Sequence, residues 1–254
     1  MTQKSKNTIA SIEKSMDIVD TLMSEGPCGV LDLAEHLGYN KTTVYHHLST
    51  LMSRDYVIKH DNKYKLGLRF FEVGQHTRRQ YSIYNVGKSE IDKLAEDTGE
   101  LANLMVTENG LGVYIYISHG DDAVSLDTKI GTRQYLHTSA LGKSILANMN
   151  EQEFETVIET HGLPEKTKNT VTDRKELEKE LEEIRNTDIA FDGEERADGV
   201  RCIAAPVHDK DGHLIGAVSV SGPSTRLEGD RLYETIPKKV KNTAKIIGIN
   251  TSYQ

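Results

Sequence analysis

The sequence predicts an α+β protein with an N-terminal winged helix-turn-helix, a linker helix and a C-terminal antiparallel-sheet domain. Three observations carry this. Residues 31–57 place apolar and small residues where two short crossed helices need them. Two strand-like runs follow around a tight turn, and beyond Gly99 the apolar pattern changes from helical period to alternation.

Leu33, Ala34 and Leu37 form the inner face of one helix, Gly38 stands where it must stop, and Asn40 can cap the next. In that second helix Val44, Leu48 and Leu51 recur at i, i+4 and i+7 as a buried stripe. The opposite face carries Lys41, Thr42, Thr43, Tyr45, His46 and Thr50, all able to donate to phosphates or base edges. A preceding helix with Ile9, Ile12, Met16, Val19 and Leu22 or Met23 on its packing side would complete a three-helix head. The runs 56–59 and 63–66 flank His60-Asp61-Asn62, residues that tolerate positive φ, and give a hairpin wing whose Lys59, Lys63 and Lys65 can lie along a phosphate backbone. An ordinary helical hairpin would explain the crossed helices alone; the third helix and the basic wing favour double-stranded DNA as partner.

The chain of 254 residues has a formal net charge of −8, unevenly distributed. Residues 1–79 hold 11 Lys and Arg against 9 Asp and Glu, a net of +2, and the remainder holds 20 against 30, a net of −10. Two domains with different partners fit that split. No apolar run approaches the ~20 residues of a membrane span, and MTQKSKN lacks a signal-peptide core, so a cytoplasmic location is expected. Cys28 and Cys202 fall in different domains, which argues against a disulfide framework or a CxxC metal site.

After the wing, 67–80 is expected to be a linker helix, with helical periodicity continuing to about residue 98. This divides the chain into a head at 1–66, the linker at 67–80 and a domain at 81–254. Alternation predicts strands at 101–107, 112–118 and 124–130, separated by Asn109-Gly110 and Gly120-Asp121-Asp122 turns. Helices are expected at 139–149, 151–160 and 173–186. A hairpin of 200–207 with 214–221 turns at Asp209-Lys210-Asp211-Gly212, and a closing helix runs from about 229 to 247. Ser219 and Ser221, two apart on one strand, face the same side, and Cys202 lies on the partner strand.

The run from Gly131 to Ser144 (GTRQYLHTSALGKS) resembles a signature of IclR-type transcriptional regulators. So do Asp192 to Glu195 with Gly199 to Val207, and Gly216 to Pro223, and the resemblance extends from the first helix to the closing one. It implies a GAF-like effector domain for a small organic, usually acidic, molecule, and a homodimer or homotetramer on a palindromic operator. Carried over by motif, the effector residues are Leu136, Ser139, Ala140, Leu141, Asp192, Cys202, Ser219 and Ser221. A helix beginning near Ser139 could also present free N–H groups to a carboxylate. The chain departs from many members in having Asn40 where they have proline, which touches only the capping style.

Other readings compete at particular residues. Leu141-Gly142-Lys143-Ser144 ends like a phosphate-binding loop, but His137 stands where its first glycine should be. Cys202 could be a nucleophile or redox sensor with His137 or His208 as base, the enzymatic alternative to a regulator; a cysteine in an apolar strand is more often packed. His46 and His47 diverge by ~100° on a helix and are poor joint metal ligands. Asp192 could merely shape a turn at Gly193. Arg133, Arg196 and Arg201 could each neutralise an acidic ligand or pair with carboxylates. Neither catalysis, a metal nor a cofactor is expected.

Overall fold

A computed structural model describes residues 7–124 and 126–251. The chain divides into two compact units, one ending at Gln80 and the other beginning at Tyr81.

The first unit opens with α1 (Ala10–Ser24), α2 (Val30–Leu37) and α3 (Lys41–Met52). Gly38 ends α2 at φ +66°, and the Asn40 side chain accepts from the Thr42 N–H at 2.9 Å to start α3. Ile18, Leu22, Leu33, Val44, Leu48, Val57 and Tyr64 make its core. The phase of α1 differs from expectation. Ile18, Val19 and Leu22 are buried, whereas Ile9, at 63% exposure, Ile12, Met16 and Met23 are exposed. A helix of this length carries two apolar stripes, and only the one facing α3 and the wing finds partners within the unit. Strands β1 (Val57–His60) and β2 (Lys63–Leu66) pair antiparallel, with Asp61 and Asn62 both at positive φ in the turn. Helix α4 (Arg69–Arg79) follows and buries none of its residues. The helical pattern breaks at Gln80-Tyr81 before α5 (Ser82–Thr98).

The second unit is built on a six-stranded antiparallel sheet. Its strands are β3 (Leu101–Glu108), β4 (Leu111–His119), β5 (Arg133–Tyr135), β6 (Ala190–Gly193), β7 (Val200–His208) and β8 (Leu214–Pro223), in the order β5-β4-β3-β8-β7-β6. Asn109 and Gly110, both at positive φ, close the β3–β4 hairpin as their sequence requires. On one face α5 and α9 (Ile236–Thr251) cover Ala102, Leu104, Val106, Val218 and Val220. The other face carries α6 (Ala140–Leu146), α7 (Glu151–His161) and α8 (Arg174–Thr187) over Met105, Tyr114, Cys202, Ala204 and Ala217. This is the GAF-like arrangement of a curled sheet between helices.

The structure departs from the sequence reading in three places. The described residues of 124–130 form no strand; the edge beside β4 is taken instead by β5, which pairs Leu111 with Tyr135 and Val113 with Arg133. Residue 125 lies outside the described residues. The four-residue β6, paired with β7 from Ala190↔Ala204 to Gly193↔Arg201, was not foreseen. The closing helix begins near Gly229 as expected and runs on to Thr251, but a π-type segment at Arg231–Thr235 interrupts it before α9, where Pro237, with no N–H, cannot continue a regular ladder.

Candidate functional site

In the first unit, Lys41, Thr42, Tyr45, His46 and Thr50 are exposed on α3 and Thr43 is half-buried, while Val44 and Leu48 face the core. The Thr50 hydroxyl donates to the His46 carbonyl at 3.0 Å, so its proton is spent within the helix. His46 and His47 part as expected: His47 Nδ1 is 2.8 Å from Ser15 Oγ, and His46 remains exposed beside Tyr45. In the wing, the pairs Ile58↔Lys65 and His60↔Lys63 share one face and Lys59↔Tyr64 the other. Lys63 and Lys65 therefore stand together, whereas Lys59 lies over the Tyr64 ring, 5.6 Å from its centroid.

In the second unit, polar residues gather on the α6-covered face of the sheet, where the neighbouring side chains are apolar. Asn103 on β3 is opposite Ser219, and Cys202 on β7 is opposite both Ser221 and Asp192. Because strand side chains alternate, these five share one face. All are buried. The Asn103 amide nitrogen donates to Ser219 Oγ at 3.2 Å and Ser221 Oγ at 3.3 Å, and the Cys202 thiol donates to Ser221 Oγ at 3.0 Å. Asp192 Oδ1 accepts from the Glu195 N–H at 2.7 Å, so Asp192 belongs to strand β6 and also anchors the turn after it.

Leu136, Ala140 and Leu141 form part of the apolar wall over this cluster. Ser139 stands at the start of α6. Its hydroxyl caps α6 by accepting from the Gly142 N–H at 3.2 Å and takes a further bond of 2.6 Å from Gln134 Nε2. Gln134 in turn accepts from the Tyr114 hydroxyl at 3.2 Å.

Burial dominates the electrostatics. The carboxyl of Asp192 is pushed up to about 7 by desolvation and then by the Glu195 charge, so much of it is protonated at neutral pH. The Cys202 thiol is pushed far up by burial and then by Asp192, which keeps it protonated and unreactive. Neither proposed base serves it: His137 Nε2 is 3.0 Å from the Pro164 carbonyl and His208 Nε2 is 3.0 Å from Asn148 Oδ1.

The phosphate-loop likeness also dissolves. Lys143, 2% exposed, donates to Glu195 at 2.6 Å and Glu180 at 2.8 Å, and these carboxylates hold its pKa up against burial, which alone would lower it. A Cβ on Gly142 would lie 2.0 Å from the Leu136 carbonyl oxygen, so glycine serves a close backbone approach.

Of the three arginines, Arg133 pairs with Glu108 and Arg201 donates to the Ser224 and Leu227 carbonyls. Arg196 adjoins the polar cluster, with its guanidinium 5.2 Å from the Tyr114 ring centroid and a 2.7 Å bond to Thr128. It also helps line a cleft of about 510 Å³ with Gln134, Tyr135, Thr138, His161 and Lys166. Among the described residues the one His/Asp grouping of metal-ligand type is Asp209, Asp211 and His213. There Asp209 Oδ1 already accepts the Asp211 and His213 N–H groups that shape the β7–β8 turn.

Sequence reading missed Asn103, Tyr114, Gln134 and the Lys143–Glu195 pair as parts of one site, and left Arg196 open between a ligand and a carboxylate partner. Asn103 had a signal: a polar residue sharing a strand face with Leu101 and Met105. For the others, whose partners are distant in the chain, there was none.

A winged helix-turn-helix followed by a GAF-like unit with a polar cluster at its centre defines a class, the single-chain regulator that joins a DNA-binding head to a ligand-binding domain. The chain belongs to the IclR family of bacterial transcriptional regulators: residues 11–61 match the IclR helix-turn-helix domain and residues 75–249 the C-terminal domain of these proteins. It is 31% identical to the probable HTH-type transcriptional regulator ArcR of Halobacterium salinarum, over 95% of this chain and 93% of that one. To the HTH-type transcriptional regulator KdgR of Escherichia coli it is 28% identical, over 92% and 89%. The crystal structure of the Thermotoga maritima IclR superimposes with a TM-score of 0.83 at 28% identity, covering 97% of this chain and all of the other. An IclR homologue from Microbacterium hydrocarbonoxydans, solved with 4-hydroxybenzoate, shares the fold at 19% identity and a TM-score of 0.82, over 94% and 97%. No helix among the described residues is long and apolar enough to cross a membrane.

Proposed function

We propose that this regulator senses a small organic acid in its second unit and thereby alters its affinity for a palindromic operator, acting in the cytoplasm as a homodimer or homotetramer. One observation carries the reading: Asn103, Asp192, Cys202, Ser219 and Ser221 are buried together on the sheet face that also carries the apolar cluster under α6 and α8. Burying polar groups is costly unless each is hydrogen-bonded, and a cluster of five in place of an apolar core is the kind of site that binds a polar ligand. The Arg196 and Lys166 side chains of the adjoining cleft supply positive charge to draw an acid toward that cluster. Leu136, Ala140 and Leu141 would pack against the ligand, and Ser139 would act through the cap of α6.

In the head, Lys41, Thr42, Thr43, Tyr45 and His46 would meet the major groove, with Thr50 at the margin. Lys63 and Lys65 would contact phosphates, and Lys59 would do so from the other face of the wing. The divisions 1–66, 67–80 and 81–254 remain the working domain assignment, with α4 as the linker. Ligand preference for one arrangement of the second unit would be converted through the linker into a change in head spacing. Calorimetric titration of the full chain with organic acids tests this, using Ser219→Ala and Asp192→Asn. Weakening in both variants is expected; unchanged affinity in both would place the site elsewhere.

A further inference from the structure

We infer that the effector carries a hydrogen-bond donor, most simply a hydroxyl near its carboxylate, which is received by Oδ1 of Asn103. The inference rests on the sensing role just proposed and narrows its ligand class to hydroxy acids over keto or unsubstituted acids. Asn103 is 2% exposed, and among the described residues its Oδ1 atom has no hydrogen-bond partner although the nitrogen of the same amide serves two serines. A buried carbonyl oxygen left unpaired is costly, so the position asks for a donor.

The described residues do not offer one. Along β3 the residues on the same face are Leu101 and Met105, and across the sheet Asn103 is opposite Ile117 and Ser219. The Ser219 and Ser221 oxygens already accept from the amide nitrogen, and the Cys202 thiol is directed to Ser221. Turning the amide round would let its oxygen accept both serine protons, but it would leave two buried N–H groups without acceptors and withdraw those protons from a ligand carboxylate. The serine hydroxyl protons, whose oxygens act as acceptors, remain free to be given to a carboxylate. The cluster therefore pairs donors for an acid group with one acceptor beside them, which is the complement of a hydroxy acid. A keto acid would set its carbonyl oxygen against Oδ1 with no proton between them.

The test uses the full chain and matched acids: lactate, pyruvate and propionate; 3-hydroxybutyrate, acetoacetate and butyrate; D-gluconate and hexanoate; 4-hydroxybenzoate and benzoate. The tightest binder should be hydroxylated and favoured by about tenfold or more over its keto or unsubstituted counterpart. In Asn103→Ala that preference should fall to within about twofold, whereas Ser219→Ala should weaken all members of a series together. If hydroxylated and unsubstituted acids bind alike, if the preference survives in Asn103→Ala, or if no acid binds, the inference is overturned. The wild-type preference decides the matter even if Asn103→Ala fails to fold. Acids that bind regardless of their hydroxyl, yet weaken in Ser219→Ala and Asp192→Asn, would leave the sensing role standing and remove only its donor requirement. Binding untouched by those two substitutions would remove the role itself.

Discussion

Replacing Asp192 by Asn should stabilise the ligand-free protein at pH 8 and do progressively less as pH falls. The folded state holds the Asp192 proton up to about pH 7, because burial and the Glu195 charge oppose ionisation, whereas an ordinary carboxyl releases it near 3.8. Between those values the native state binds more protons than the unfolded state, so this group makes stability fall as pH rises through that window and adds no slope above it. The whole interval is worth at most about 4 kcal/mol, at 1.36 kcal/mol for each pH unit, and the part between pH 5 and pH 7 at most about 3 kcal/mol. Asparagine does not titrate and keeps the oxygen that accepts the Glu195 N–H. The difference between variant and wild type cancels the slopes of the carboxyls that do not interact with Asp192. Urea unfolding followed by circular dichroism at pH 5 and pH 8 measures it. The advantage of the variant should grow by about 1–3 kcal/mol over that span. A difference independent of pH, or a variant less stable at pH 8, would refute the reasoning.

Other substitutions probe the frame around the cluster and the head. Gly142→Ala should lower stability by about 1–3 kcal/mol or more, because its Cβ would sit 2.0 Å from the Leu136 carbonyl oxygen; a melting temperature unchanged from wild type would contradict that approach. Lys143→Met should cost about 3–5 kcal/mol by leaving the buried Glu195 without its cation, as read from urea midpoints, and a neutral result would mean that the carboxylate is easily rehydrated. His46→Ala or Thr43→Ala should erode discrimination between selected and random duplexes by roughly 1–3 kcal/mol where a base contact is lost. Lys63→Ala or Lys65→Ala should weaken binding to both alike and reduce the salt dependence by about one ion each in fluorescence anisotropy. The reverse pattern would exchange the roles of helix and wing.

Local signals made the head legible. Gly38, Asn40 and the Asp61-Asn62 turn each need particular backbone geometry, and each adopts it. Within the second unit, Asn109-Gly110 and the alternating β7–β8 pair were readable for the same reason, and alternation alone put Ser219 and Ser221 on one face. What escaped was set by distant partners. The outward stripe of α1 is as apolar as its inward one, so periodicity could not choose between them. Residues 124–130 alternate in sequence but those of them that are described form no strand, while Arg133–Tyr135, too short to show a pattern, lies against β4. Strand β6 carries Asp192 in only four residues and is recognisable through its pairing with β7. The ion pairs of Lys143 join residues 37 and 52 positions apart, which no local pattern records.

The central claim is that ligand binding in the second unit changes DNA binding by the head. It is tested most directly by measuring the affinity of the full chain for a duplex that it selects from a random library, with and without the acid that binds it best. Operator affinity should change by roughly 5–150-fold, and the duplex should change the affinity for the acid by the same factor, as linkage demands. An acid that binds tightly yet leaves duplex affinity unaltered, or a library that yields no preferred palindromic sequence, would contradict the claim.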